Sequence, residues 1–302
     1  QKHRWLPGLA AGTLVPALAM TEPGQGSDLQ SVETYAVAEG DDLRINGAKT
    51  FITNGQTANL ICLVVKTEKE AGARGVSLVM VETDEVDGFR RGRNLDKVGL
   101  KGQDTSELFF DEMSVPAGSL IGEEGEGFKY ILDGMNAERV LIASECIGDG
   151  RFFIDRAAAY AGERSVFDRP IGLNQGIQFP IARSYIELEA AAGMVDKAAA
   201  LFDEGKSCGS EANMAKLLAS EASWKAADVC LQTHGGFGFA EEYDIERKFR
   251  ETRLYQVAPI STNLILSHVA THVLGLPKSF LSLIHISEPT RPERISYAVF
   301  CF

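Results

Sequence analysis

The sequence of 302 residues has no uninterrupted apolar run of about 18 residues, so it offers no candidate membrane-spanning helix. It also lacks a basic surplus: 30 Lys and Arg stand against 42 Asp and Glu, a formal net charge of −12. A surface of that sign has no broad face on which to release nucleic-acid counterions, so DNA and RNA are excluded as partners. Any polyanionic ligand must instead be held by local Arg residues and backbone amides. Cysteine is scarce. Cys62, Cys146, Cys208, Cys230 and Cys301 form an odd, scattered set without CxxC spacing. That pattern predicts neither a disulfide framework nor a zinc or other metal site, and it suits reduced thiols in a cytoplasmic protein. An initiator Met is missing. The apolar stretch 5–20 that follows Gln1-Lys2-His3-Arg4 is broken by Pro7, Gly8, Gly12 and Pro16, unlike the continuous core of a signal peptide.

What is present suffices for a sizeable core, since 45% of residues are hydrophobic and 24% charged. Residues 13–122 read as β. Apolar or β-branched runs at 34–38, 43–46, 60–66, 76–81 and 107–110 are separated by turn signals such as Asp41-Asp42, Asn46-Gly47 and Asn54-Gly55. They predict a small antiparallel barrel or sandwich. After Gly122-Glu123-Glu124-Gly125-Glu126-Gly127 the texture becomes Ala-rich with helical spacing at 128–162, 175–204, 210–235 and 259–274. This predicts an antiparallel four-helix bundle over 123–280, hence an α+β fold, with Ser210 as an N-cap. The glycine-rich connector lacks the Lys of a phosphate-binding P-loop and reads as a hinge between domains. Residues 281–302, which include Ser282-Leu283-Ile284-His285-Ile286-Ser287-Glu288-Pro289-Thr290-Arg291-Pro292, resemble translated sequencing-adapter read-through and are expected to lie outside the fold.

Four segments carry chemistry jointly. Thr21-Glu22-Pro23-Gly24-Gln25-Gly26-Ser27-Asp28 is a loop whose amides can form an anion nest. It is followed by Phe51-Ile52-Thr53-Asn54-Gly55, Glu163-Arg164-Ser165-Val166-Phe167 and Gln232-Thr233-His234-Gly235-Gly236-Phe237-Gly238-Phe239. Each alone is weak. In this order and spacing, with Arg169-Pro170-Ile171 and Gln175-Gly176-Ile177-Gln178-Phe179 beside them, they resemble the acyl-CoA dehydrogenase family across residues 1–280.

The resemblance implies a helical domain, a middle β-domain and a C-terminal four-helix bundle. It also implies a homo-oligomer, a dimer or usually a tetramer, with FAD shared across a subunit interface. Residues 1–12 then look like the remnant of the first domain, which predicts that the chain is inactive by itself. Met20, Thr21, Gly26 and Ser27, with Phe51 and Thr53, correspond to residues lining the isoalloxazine ring. Phe51 stands where Trp is frequent, keeping a stacking face without the indole donor. Arg164, Phe167, Gln175, Gln232 and Gly236 match positions that hold the diphosphate and adenosine, largely from a neighbouring subunit. Ser261 and Asn263 fall at further cofactor-binding positions. Asp168 departs from the usual Gly after Phe167, so that turn is expected to differ locally. The bland readings are that Arg164 pairs with Glu163 or Asp168 and that Gly235-Gly236 only terminates a helix.

The implied reaction is α,β-dehydrogenation of an acyl-CoA. A carboxylate removes the α-proton, hydride passes to flavin N5, and an electron-transfer flavoprotein takes the electrons. Such a base needs a raised pKa, which burial supplies, and the thioester oxygen needs donors. Many members place the Glu in a Tyr-Glu-Gly-Thr stretch; here Tyr255-Gln256-Val257-Ala258-Pro259-Ile260-Ser261-Thr262-Asn263 puts Pro259 at that position and removes its amide. Isovaleryl- and long-chain-type members carry the base before an Arg on the first bundle helix. That site reads Asn136-Ala137-Glu138-Arg139-Val140, making Glu138 the candidate base and Arg139 its support. The other readings are a surface Glu beside Arg, a flavin- or acyl-CoA-binding homologue without catalysis, and an altered chemistry such as an oxidase or desulfinase.

Overall fold

A computed structural model describes residues 1–84 and 86–278; the segment 281–302 lies outside the described residues. A first helix, α1 (Lys2–Ala11), ends where Gly12 takes a left-handed φ of 72°. It is fastened to the β-region by Gln1, whose amide donates to Gly118 O and Leu120 O, and by Arg4 and Trp5 on the Glu82 carboxylate.

Seven strands form one sheet: β1 (Pro16–Ala19), β2 (Tyr35–Glu39), β3 (Asp42–Thr53), β4 (Leu60–Lys66), β5 (Val76–Glu82), β6 (Phe89–Asn94) and β7 (Thr105–Pro116). The spatial order is β1-β4-β2-β3-β7-β6, with β5 on the other side of β4. Most neighbours are antiparallel. The pairings of β4 with β1 and with β2 are parallel, which corrects the expectation of a purely antiparallel ladder. The reason is that β4 returns beside strands reached through long loops rather than tight hairpins. Strand β4 is apolar almost throughout because both its faces are covered, whereas β3 and β7 alternate. The inner face packs Ile45, Ile52, Ile61, Leu63, Val79, Leu108 and Met113 into one core.

The helices are α2 (Gly127–Glu163), α3 (Gln175–Asp203), α4 (Gly209–His234), α5 (Ile245–Thr252) and α6 (Thr262–His268), the last continued by a π-turn over Val269–Val273. The first three match the predicted segments to within a residue. The fourth is shorter than the 259–274 expected, because the chain bends through Pro259 and Ile260 and Ser261 Oγ accepts from Leu264 N, 3.4 Å away, to cap the first turn of α6. Helices α3 and α4 run antiparallel: Lys225 pairs with Glu187, and Lys197 with Glu211. Their shared core is rich in alanine (Ala143, Ala157, Ala191, Ala198, Ala215, Ala219, Ala226), which lets the axes approach closely. Gly150 has the same use, since a Cβ there would lie 2.5 Å from Leu188 Cδ1. Ser210 does not cap α4. Cys208 holds the N-cap position without a side-chain bond, and Ser210 Oγ lies 3.5 Å from His268 Nε2 instead.

The connector before α2 is a fixed joint rather than a hinge. Ile121 N donates to Leu78 O and Gly125 N to Ser77 Oγ, both on β5. Gly127 admits no side chain, because its Cβ would meet Ser77 Cα at 2.7 Å. Thus α2 leaves the sheet in a set direction, with Ile131 and Met135 packed against Val64, Val76 and Leu78.

Candidate functional site

The loop after β1 is held from beneath by an ion pair. Lys49 of β3 is fully buried and donates to Met20 O at 2.9 Å and to Glu22 Oε1 at 2.8 Å. The Glu22 carboxylate also accepts from Thr34 N (2.9 Å) and Glu33 N (2.6 Å). Burial alone would raise the Glu22 pKa, but Lys49 and these donors hold it below its ordinary value. Burial pushes the Lys49 pKa down, against the pull of Glu22. Thr50 N donates to Thr21 O at 2.9 Å, completing the tie between loop and strand. Gly26 and Ser27, beyond this clamp, are exposed.

Strand β3 then bulges. Between Lys49 opposite Leu108 and Ile52 opposite Ser106 it holds one residue more than β7, and Phe51 absorbs it at φ 57° with 65% of its surface exposed. A left-handed φ costs a non-glycine residue about 1–2 kcal/mol, and glycine's own entropy cost is about 0.5–1 kcal/mol. Phe51→Gly is therefore expected to raise the stability of the cofactor-free protein by about 0.5–1 kcal/mol while weakening FAD binding. Thermal melts and flavin titration of the same sample check both signs; a destabilised variant would show that Phe51 serves the fold.

Met20 packs into the cluster that contains Ile131 and Met135 of α2. Glu138 lies one helical turn beyond Met135, half-buried, and its carboxyl is raised above the ordinary range by burial, with Arg139 opposing. The Arg139 side chain is buried and turned to its own helix, donating to Asn136 Oδ1 at 3.0 Å. Its Nε has no partner among the described residues, and burial lowers its pKa. Ser261 and Asn263 begin α6 at this same end of the bundle, where Gly209 of α4 approaches Asn136.

The remaining predicted residues gather elsewhere. Arg164 ends α2, and its O accepts from Ile171 N. Strands β8 (Ser165–Val166) and β9 (Arg169–Pro170) form a hairpin whose two tip residues, Phe167 (φ 55°) and Asp168 (φ 59°), give a type I′ turn. Asp168 thus takes the left-handed position that glycine usually fills. Phe167 at the tip is 94% exposed. Gln175 opens α3 just beyond, Gln232 lies in the last turn of α4, and Gly236 is exposed in the turn that follows. The guanidinium of Arg164 lies 5.5 Å from the centre of the Phe237 ring rather than on Glu163 or Asp168. His234 stacks on Tyr160 at 4.2 Å and fixes that turn to α2. From Glu138 to Arg164 is 26 residues of helix, about 40 Å at about 1.5 Å per residue. The structure therefore places Met20 against the α2 segment one turn from Glu138, about 26 helical residues from Arg164.

Sequence reasoning missed Lys49 and Lys216, both fully buried. The signal for Lys49 was a cation two residues before an exposed Phe and within reach of the Glu22 loop; for Lys216 it was a charge inside the apolar stripe of α4. Among the described residues no helix is long and apolar enough to cross a membrane.

A mixed sheet thus feeds a bundle of long helices, and Met20, beside the pinned loop, packs on the helix that carries the half-buried Glu138. The sequence matches the families described as acyl-CoA dehydrogenase, middle domain, over residues 17–113 and acyl-CoA dehydrogenase, C-terminal domain, over residues 125–274. It is 38% identical over 275 residues to an acyl-CoA dehydrogenase of Bacillus subtilis, covering 91% of this chain and 72% of that one. It is 40% identical over 278 residues to a cyclohex-1-ene-1-carbonyl-CoA dehydrogenase of Syntrophus aciditrophicus, covering 91% and 67%. The crystal structure of an acyl-CoA dehydrogenase from Geobacillus kaustophilus superposes with a TM-score of 0.88 at 38% identity, over 90% of this chain and 72% of that one. The chain belongs to the acyl-CoA dehydrogenase family, whose members are flavoproteins that oxidise CH–CH bonds.

Proposed function

We propose that this chain, as part of a full-length protein, carries out FAD-dependent α,β-dehydrogenation of an acyl-CoA thioester to the trans-2-enoyl-CoA, with Glu138 as the base. The observation that carries this reading is the raised, half-buried Glu138 carboxyl one turn from Met135, on the helix face that meets Met20. When bound, FAD supplies the acceptor for the β-hydride. Met20, Thr21, Gly26, Ser27, Phe51 and Thr53 would hold its ring, with Ser261 and Asn263 at the same end. Phe51, which the bulge of β3 leaves exposed at a left-handed φ, fits such a role. Arg164, Phe167, Gln175, Gln232 and Gly236 would hold the diphosphate and adenosine of a second copy's FAD. Arg164 stands about 40 Å along α2 from Glu138, farther than one dinucleotide reaches, which supports that division. A homo-oligomer, electron transfer to an electron-transfer flavoprotein and a cytoplasmic location complete the reading.

Glu138 takes the α-proton, and its partial burial keeps water from competing for the carboxylate. Arg139, buried beside it, supports the helix segment through Asn136 and Met135. Pro259 offers neither a carboxylate nor an amide, and with Ala258 it leaves a less bulky wall, which suits branched or cyclic acyl groups. The Syntrophus relative, named for a cyclic acyl-CoA, is in keeping with this. Anaerobic mixing of the full-length, FAD-loaded protein with an acyl-CoA panel tests the proposal. Bleaching by branched and cyclic thioesters faster than by butyryl-CoA is expected; equal rates would remove the specificity reading. No bleaching by any thioester would leave a flavin- or acyl-CoA-binding homologue without dehydrogenase activity.

A further inference from the structure

Lys216 lies on α4 with its side chain fully buried, among Ala212, Ala215, Ala219 and Ser220. An alanine-lined position of this kind accepts Leu or Met at no polar cost, whereas an ammonium must give up its water. No carboxylate pairs with it among the described residues. Its one hydrogen bond runs from Nζ to Ile260 O, 2.9 Å away and 44 residues along the chain. Cys146 of α2 is the titratable group that acts on it electrostatically, and burial pushes that thiol up to about 12, so it stays neutral and does not balance the amine.

The carbonyl it holds belongs to the segment between the buried anchors Tyr255 and Ile265. Upstream, Val257 N and Ala258 N both donate to Leu254 O. Pro259 then has no N–H with which to continue the pattern. Downstream, Ser261 caps α6. The stretch Pro259–Ile260 is therefore tied to the rest of the protein by a carbonyl rather than by amides, and Lys216 is what holds that carbonyl. We infer that Lys216 is a positioning residue: through Ile260 O it fixes the Ala258–Ser261 wall of the acyl site and sets where Ser261 and Asn263 stand relative to the flavin. The inference rests on the dehydrogenase reading for its functional half, and on the hydrogen bond alone for its structural half.

Lys216→Met keeps the length of the stem and removes the donor, while Lys216→Gln keeps a shorter donor and serves if the first variant folds poorly. In the FAD-loaded protein, hydrogen–deuterium exchange over residues 257–264 is expected to rise at least tenfold in K216M and less in K216Q, with residues 235–239 unchanged. Saturation of the bleaching rate with acyl-CoA is expected at several-fold higher thioester concentration in K216M, with a limiting rate also lowered. Unchanged exchange over 257–264, or a rise spread evenly through α2, α3 and α4, would overturn the assignment, since a merely structural lysine gives one or the other. If no thioester bleaches the wild-type flavin, the dehydrogenase reading fails, and the exchange comparison still decides whether Lys216 holds the segment.

Discussion

Glu138→Gln is expected to slow bleaching of the bound flavin by about 10²–10⁴-fold, the usual contribution of a positioned general base. Gln keeps the size of the side chain but has no lone pair basic enough to accept a thioester α-proton. Folding should barely change, because the wild-type carboxyl makes no ion pair among the described residues and is disfavoured as an anion by its own burial. The direction of the pH effect follows. The folded carboxyl binds its proton above the ordinary value of 4.5, so between 4.5 and its folded pKa the native state holds more protons than the unfolded chain. Stability therefore falls slightly as pH rises through that window, while the rate of proton abstraction climbs and then levels off. Stopped-flow rates across pH should show this climb in wild type and a flat profile in the variant. A variant that bleaches at the wild-type rate would remove Glu138 from the chemistry.

Lys49→Met is expected to cost about 3–5 kcal/mol, the range for leaving one member of a buried ion pair behind. The Glu22 carboxylate would keep its bonds from Glu33 N and Thr34 N but lose the one cation paired with it among the described residues, and Met20 O would lose the Lys49 donor. Adding Glu22→Gln should recover part of the loss, because it removes the stranded charge and keeps one acceptor oxygen. Urea unfolding of the two variants measures both effects. A single-variant loss below about 1 kcal/mol would mean that water reaches Glu22, contrary to its burial. The same clamp aims Met20 and Thr21, so flavin affinity should fall further than stability alone accounts for.

The helices were legible because their apolar spacing is local. Residues 128–162, 175–204 and 210–235 differ from the observed α2, α3 and α4 only at the ends, and 60–66 coincides with β4. Strand β6, Phe-Arg-Arg-Gly-Arg-Asn, escaped notice since an edge strand with exposed charges shows no alternation. Strand β1 is four residues long, and α5 is mostly polar. The parallel pairings of β4 depend on contacts between distant segments, which no local pattern records. In the proposed site, the loops and Glu138 stand out by their motifs. Their supports do not, because Lys49 and Lys216 act on partners 27 to 44 residues away and look like surface residues in a one-dimensional reading.

On the proposed sharing of FAD between copies, the length of α2 would give each copy a role in two places at once. On the proposed division, damage near Glu138 disables the copy's own centre, whereas damage near Arg164 disables a neighbour's. Two defective copies of opposite kind, mixed in one assembly, would then rebuild an intact centre that neither forms alone, and the genetics of such variants would be read in cis and trans rather than residue by residue.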